Sequence, residues 1–236
     1  MAGGNGPGNR LDQLNSAADV IIDRRDSSLI IADRDNRRVM RWSRQMSQHG
    51  EIIIENIDCR GLAMHRNGSL YVSDWKKNEV RRWKRGETQG TIVAGGNGQG
   101  NQLNQLHFPV FLFVDDDHNL YISDLQNHRV MKWTEDAEEG ILVAGGNGQG
   151  QRMTQLSLPY GVVVDQFGRI YVADCGNNRV MRWREGVGEG IIVASNNSNG
   201  QEVNQLAGPA GLALDSEGNL YVADFKSHRI LKFEIE

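Results

Sequence analysis

The sequence predicts an all-β fold: a β-propeller of four-stranded antiparallel blades, with five repeat units visible and a last blade lacking its outer strand. Three observations predict it. First, one fourteen-residue motif is written five times, as LIIADRDNRRVMRW (29–42), LYVSDWKKNEVRRW (70–83), LYISDLQNHRVMKW (120–133), IYVADCGNNRVMRW (170–183) and LYVADFKSHRILKF (220–233). Second, its aspartates Asp33, Asp74, Asp124, Asp174 and Asp224 are spaced by 41 residues and then three times by 50. Third, each motif sits among short β-branched runs bounded by turn residues, the signature of strands of about five residues. Repeated units of this size stack radially or linearly, because one unit alone cannot bury its apolar faces.

The fourth unit shows the elements in order. Strand a is GVVVD (161–165), b is RIYVAD (169–174), c is RVMRW (179–183) and d is GIIVA (190–194). Gln-Phe-Gly separates a from b and Cys-Gly-Asn-Asn separates b from c, both suited to tight turns. The five units span about 1–56, 57–96, 97–146, 147–196 and 197–236 and form one propeller domain by this reading. Trp42, Trp83, Trp133, Trp183 and Phe233 share one position of strand c, where a large ring fills the space between neighbouring blades. The strand b aspartate and the arginine five residues on (Arg38, Arg129, Arg179, Arg229) bracket the b–c turn and can hydrogen-bond across it. The second unit carries Glu79 at the arginine position, so its turn needs another solution.

The string LPYGVVVDQFGRIYVADCGNNRVMRW resembles the NHL repeat, and weaker copies extend the resemblance over almost the whole chain. The glycine before strand a, the aspartate, the Arg-Val pair and the hydrophobic spacing all coincide. The resemblance implies a propeller, usually of six blades, whereas five motif-bearing units occur here. The fifth unit stops at strand c in ILKFEIE, while AGGNGPGN near the start matches AGGNGQGN (94–101), which follows strand d. Either the ring closes with five blades, the last of them three-stranded, or the array is truncated or open, with an edge available for self-association.

Composition narrows the function classes. With 39% hydrophobic residues and 28 glycines in 236 residues, the chain has enough apolar material for a core and does not read as disordered. No apolar run approaches the length of a membrane span, and the start has neither a basic nor an apolar leader region. Cys59 and Cys175 form no CxxC pair, which favours reduced thiols and a cytoplasmic setting. Up-down connectivity puts the d–a and b–c loops on one face, here the top, and the a–b and c–d loops on the bottom. Charged side chains sum to about +1 on the top loops and about −10 on the bottom ones.

Subtracting the framework leaves candidate binding residues on the top face. Trp75 and Tyr160 are the unframed members of their types; Trp75 follows strand b beside Lys76 and Lys77, and Tyr160 precedes strand a at the channel mouth, aligned with Arg60. Arg34, His128, Phe225, Lys226 and His228 complete the candidate surface on b–c loops. Exposed aromatics beside cations are the composition of protein hot spots and also of base-stacking platforms. Phe111 replaces the repeat glycine and reads as extra core packing.

Catalytic and metal readings find no support in the residues. No HxH or HExxH spacing occurs, and the strand a runs VIID, LAMH, LFVD, VVVD and LALD bring no ligand ring into the channel. Resemblance to peptidyl-amidoglycolate lyases and gluconolactonase-like propellers implies metal-dependent chemistry, but none of their ligands transfers to a residue here. The loops GGNGQG at 95–100 and 145–150 lack phosphate-loop spacing and any following lysine, so they read as blade-to-blade crossings. No catalytic residue, metal or cofactor is expected. The resemblance implies protein partners, as in substrate recruitment for RING-type ubiquitin ligases, with single-stranded RNA as the alternative and a metal-dependent lyase or lactonase-type propeller enzyme as the second alternative. A top-face charge near zero favours protein over a phosphate backbone.

Overall fold

The computed structural model describes residues 2–43, 49–195 and 205–235. Its strands form five separate antiparallel sheets in chain order. Blade 1 is β1 (Ala17–Asp23), β2 (Ser28–Asp33), β3 (Arg38–Trp42) and β4 (Glu51–Glu55). Blade 2 is β5 (Cys59–Met64), β6 (Leu70–Asp74), β7 (Glu79–Trp83) and β8 (Thr91–Gly95). Blade 3 is β9 (Pro109–Val114), β10 (Leu120–Asp124), β11 (Arg129–Trp133) and β12 (Ile141–Gly145). Blade 4 is β13 (Pro159–Val164), β14 (Arg169–Asp174), β15 (Arg179–Arg184) and β16 (Ile191–Ser195). Blade 5 is β17 (Pro209–Leu214), β18 (Leu220–Asp224) and β19 (Arg229–Phe233), three strands among the described residues.

The expected strands of blade 4 recur with small shifts that have causes. β13 begins two residues early because Pro159 pairs with Asp174 across a register shift. β16 begins one residue late because Gly190 lies flat against the Trp183 ring, where a Cβ would collide. Gly90 and Gly140 do the same for Trp83 and Trp133. The b–c turns of blades 1, 3, 4 and 5 are single turns of 3-10 helix ended by left-handed residues: Arg37, His128, Asn178 and His228. No helix of the described residues is long and apolar enough to cross a membrane.

Blades 2, 3 and 4 bury both faces against their neighbours. Val130 and Tyr121 of blade 3 pack with Val162, Ile170, Met181 and Trp183 of blade 4, and Trp133 meets Tyr71 and Val80 of blade 2 in the same manner. The recurring tryptophan therefore fills the gap to the preceding blade, at roughly 25 cal/mol for each Å² of apolar surface removed from water.

The Asp/Arg pairs do more than cross a turn. In blade 3, Asp124 accepts the Nε–H of Arg129 at 2.7 Å, the Nδ2–H of Asn127 and the backbone N–H of His107. Arg129 in turn donates to the carbonyls of Asn101, Gln102 and Gln105. Arg38 and Arg179 make the same contacts in blades 1 and 4. The pair thus ties the long crossing between blades to the b–c turn and satisfies carbonyls that no strand would satisfy. Blade 2 is entered by a short crossing, which offers no such carbonyls. Glu79 there pairs with Arg81 at 2.6 Å, and Arg81 stands where Met40, Met131 and Met181 stand in other blades.

The array is open. β1 packs on β5, β5 on β9, β9 on β13 and β13 on β17, and no comparable packing joins β17 to β1. Val39, Val80, Val130 and Val180 are 0% exposed, whereas the equivalent Ile230 of blade 5 is 73% exposed. On the facing side Val20 and Ile22 of β1 are 55% and 60% exposed. Among the described residues the first and last blades therefore do not seal against each other.

Candidate top-face binding site

Arg60 and Tyr160 occupy the second position of β5 and β13, inside the register shifts that follow Cys59 and Pro159. Those shifts release both side chains from the sheet toward the channel mouth. They meet across it: the Arg60 guanidinium donates to the Tyr160 hydroxyl at 3.3 Å, although 100 residues separate them. The guanidinium also lies over two rings, at 5.7 Å from the Tyr160 centroid and 5.5 Å from that of Phe108. Phe108 continues the cluster to Trp75, at 4.7 Å between ring centroids, and Phe111 reaches Tyr160 at 6.0 Å.

Phe108 is the member that sequence reasoning missed. It precedes Pro109 in the left-handed region, with φ 63°, and its N–H is held by the Asn78 side chain at 2.9 Å. Leu158 and Gly208 hold the same place before their prolines. A phenylalanine there is visible only once the repeats are aligned through the loop. Phe111 differs from the expected core role: it is half-buried and faces Tyr160 at the mouth.

The electrostatics distinguish the cations. Among the described residues no carboxylate pairs with Arg60; burial lowers its affinity for the proton, and Arg34 nearby adds like charge. A half-buried guanidinium without a carboxylate retains hydrogen-bonding capacity for an incoming group. Lys76 instead pairs with Asp58 at 2.9 Å while its ammonium lies 5.2 Å from the Trp75 centroid. Trp75 is therefore covered by Phe108 and by Lys76, and its buried Nε1–H has no partner. Lys77 is exposed, and its backbone N–H caps Asp74.

The remaining candidates fall elsewhere. Arg34 pairs with Asp35 at 2.9 Å. His128 is a blade-to-blade link: its Nδ1 accepts the N–H of Leu158 at 3.2 Å, the role played by Asn78 toward Phe108 and Asn178 toward Gly208. Burial pushes its imidazole below the ordinary range, which keeps that nitrogen free to accept. Phe225, Lys226 and His228 are exposed on blade 5, and the structure places none of them in the Arg60 cluster.

A second residue was missed on the channel wall. Asp19 stands in β1 at the position of Gly61, Phe111, Gly161 and Gly211. It accepts the backbone N–H of Leu62 from blade 2 at 2.8 Å and that of Val20, yet burial pushes its carboxyl up to about 6. Among the described residues no three His, Cys, Asp or Glu side chains converge to hold a metal ion. The buried Cys59 thiol is pushed up to about 12, mainly by desolvation, far from a nucleophilic thiolate at neutral pH.

The NHL repeat model matches residues 156–182 and 206–233, in blades 4 and 5. No curated protein matches the sequence. Among solved structures, an auxiliary nutrient binding protein from Bacteroides thetaiotaomicron aligns with a TM-score of 0.72 at 18% identity, over 93% of this chain and 59% of that one. A gluconolactonase from Xanthomonas campestris aligns with a TM-score of 0.69 at 17% identity, over 94% of this chain and 76% of that one. A chain of a nidogen/laminin complex aligns with a TM-score of 0.71 at 19% identity, over 92% of this chain and 75% of that one. At these identities the likeness is one of fold, and the chain spans 59% of the length of the nutrient binding protein.

Proposed function

We propose that this β-propeller, which matches the NHL repeat model in blades 4 and 5, is a non-catalytic binding platform that holds a protein partner at the top mouth of its channel. The observation that carries this reading is the Arg60 cluster: a half-buried guanidinium without a carboxylate, framed by Phe108, Phe111 and Tyr160. Arginine and tyrosine set in a partly desolvated rim are the residues that dominate protein interfaces. The nidogen/laminin likeness shows the fold inside a protein complex, which supports the reading without naming a partner. Substrate recruitment for a ubiquitin ligase is one use such a platform could serve, with ligase activity supplied by another subunit.

Single-stranded RNA is less well served by this geometry. Base stacking needs a free aromatic face, and Trp75 has Phe108 and Lys76 against it. The test is affinity capture followed by quantitative binding to the captured partner. Arg60→Ala with Tyr160→Ala is expected to weaken binding by about 2 kcal/mol or more, roughly thirtyfold, with the unfolding midpoint nearly unchanged. Unaltered binding by that double variant would overturn the assignment of the mouth.

A further inference from the structure

The other end of the channel has a different character from the acidic bottom loops around it. The lower halves of β1, β5 and β9 border an open cavity of about 420 Å³, within the range of small-molecule sites. Its wall is apolar, formed by Ile22, Leu62, Met64, Leu112 and Phe113. Its rim carries Arg24, Arg25 and Arg66 from the a–b turns of blades 1 and 2, with the carboxylates of Asp23 and Asp116 beside them, which leaves one positive charge in excess.

The rim cations are not equivalent. Arg25 is committed to Asp23, donating from Nε at 2.8 Å and from Nη2 at 2.6 Å. Arg66 reaches Asp116, a carboxylate of the same rim, at 3.4 Å, so its charge is offset there. Arg24 has no carboxylate partner among the described residues and lines the same opening. One guanidinium is therefore left over above an apolar wall. Elsewhere on this face Asp115, Asp117, Asp215 and Glu217 repel anions, so the potential directs an anion toward the blade 1 side of the mouth.

We infer that this cavity binds a small amphipathic monocarboxylate, its apolar body against Ile22, Met64 and Phe113 and its carboxylate at Arg24. A single spare cation suits a single negative charge; a phosphate dianion would need a second, and Arg25 is spent on Asp23. A neutral apolar ligand would gain only the wall, and a cation would meet the one guanidinium left in excess.

Isothermal titration with 4-phenylbutyrate, and with 4-phenylbutyramide as its neutral counterpart, tests this. Saturable one-to-one binding of the carboxylate is expected, with the amide weaker by about tenfold. Arg24→Gln is expected to weaken the carboxylate by about tenfold and leave the amide unchanged. Ile22→Trp fills the cavity from an exposed position and is expected to weaken both ligands while preserving the unfolding transition. Equal affinity for acid and amide, no saturable binding up to about 10 mM, or full binding by the Ile22→Trp variant would each overturn the inference. Loss of top-face partner binding would not bear on it, since the two sites lie at opposite ends of the channel.

Discussion

Residue-scale chemistry is clearest at Asp19. Its carboxyl titrates near 6 in the folded protein against about 3.9 in an unfolded chain, because burial outweighs the two N–H groups it accepts. A raised folded value means that the folded state holds the proton more tightly. The stability it lends is complete below about pH 4 and is lost as the pH rises through 6. Asp19→Asn removes that titration. The stability difference between wild type and variant, followed by urea unfolding, is expected to shift in favour of the variant by on the order of 2 kcal/mol between pH 4 and 7. A difference that stays flat with pH would show that Asp19 is solvated. His128 has the opposite sign: burial lowers it, so its link to Leu158 is present above its unfolded value and lost as pH falls through the folded one. His128→Asn, which copies Asn78 and Asn178, is expected to keep the fold and abolish that acid sensitivity in a thermal-melt series.

Within an element, the repeat residues split by what the blade asks of them. Arg129 is 6% exposed and ties three crossing carbonyls to a fully buried carboxylate. Arg129→Ala leaves Asp124 charged and unpaired, and is expected to cost about 3 to 5 kcal/mol in urea unfolding. The pair in blade 5 is looser, with Arg229 32% exposed in its side chain and 3.1 Å from Asp224. Arg229→Ala is therefore expected to cost less than half as much. The role of the pair across its own turn was legible in the motif; its grip on the crossing was not, because the carbonyls lie 24 to 28 residues earlier. Glu79 shows the converse. Its departure from the motif was visible, and the reason, a short crossing and a compensating Arg81, required the blade to be assembled.

At the scale of the whole molecule the open array sets local stability. Val130→Thr puts a hydroxyl into a sealed blade interface and is expected to destabilise by about 1 to 3 kcal/mol. Ile230→Thr at the equivalent but uncovered position should fall within about 0.5 kcal/mol of wild type. Similar costs at both positions would mean that blade 5 is covered in solution. The acidic excess of the bottom face is also partly structural: Glu135 pairs with Arg82 at 2.9 Å and Glu185 with Lys132 at 2.8 Å, each bridging consecutive blades. A count of charges along the chain could not distinguish these from the solvated acids beside them. The same holds at the top mouth, where Arg60 and Tyr160 were each visible as departures from the repeat, yet Phe225 and Lys226 looked equally eligible.

What the sequence determined by itself is the blade: five copies of one motif, the strands within each, and the ring that seals each interface. These follow from short-range causes, namely the two-residue period of a strand, the turn chemistry of Gly and Asn, and the volume of tryptophan. What only the tertiary structure decided is which departures from the repeat meet, and whether the first and last blades do. Both depend on how inner strands pack around the channel, a property of all five blades together. Arg60 and Tyr160 touch because blade 3 sets the distance between them, and Val20 and Ile230 are exposed because, among the described residues, β17 and β1 do not pack on each other.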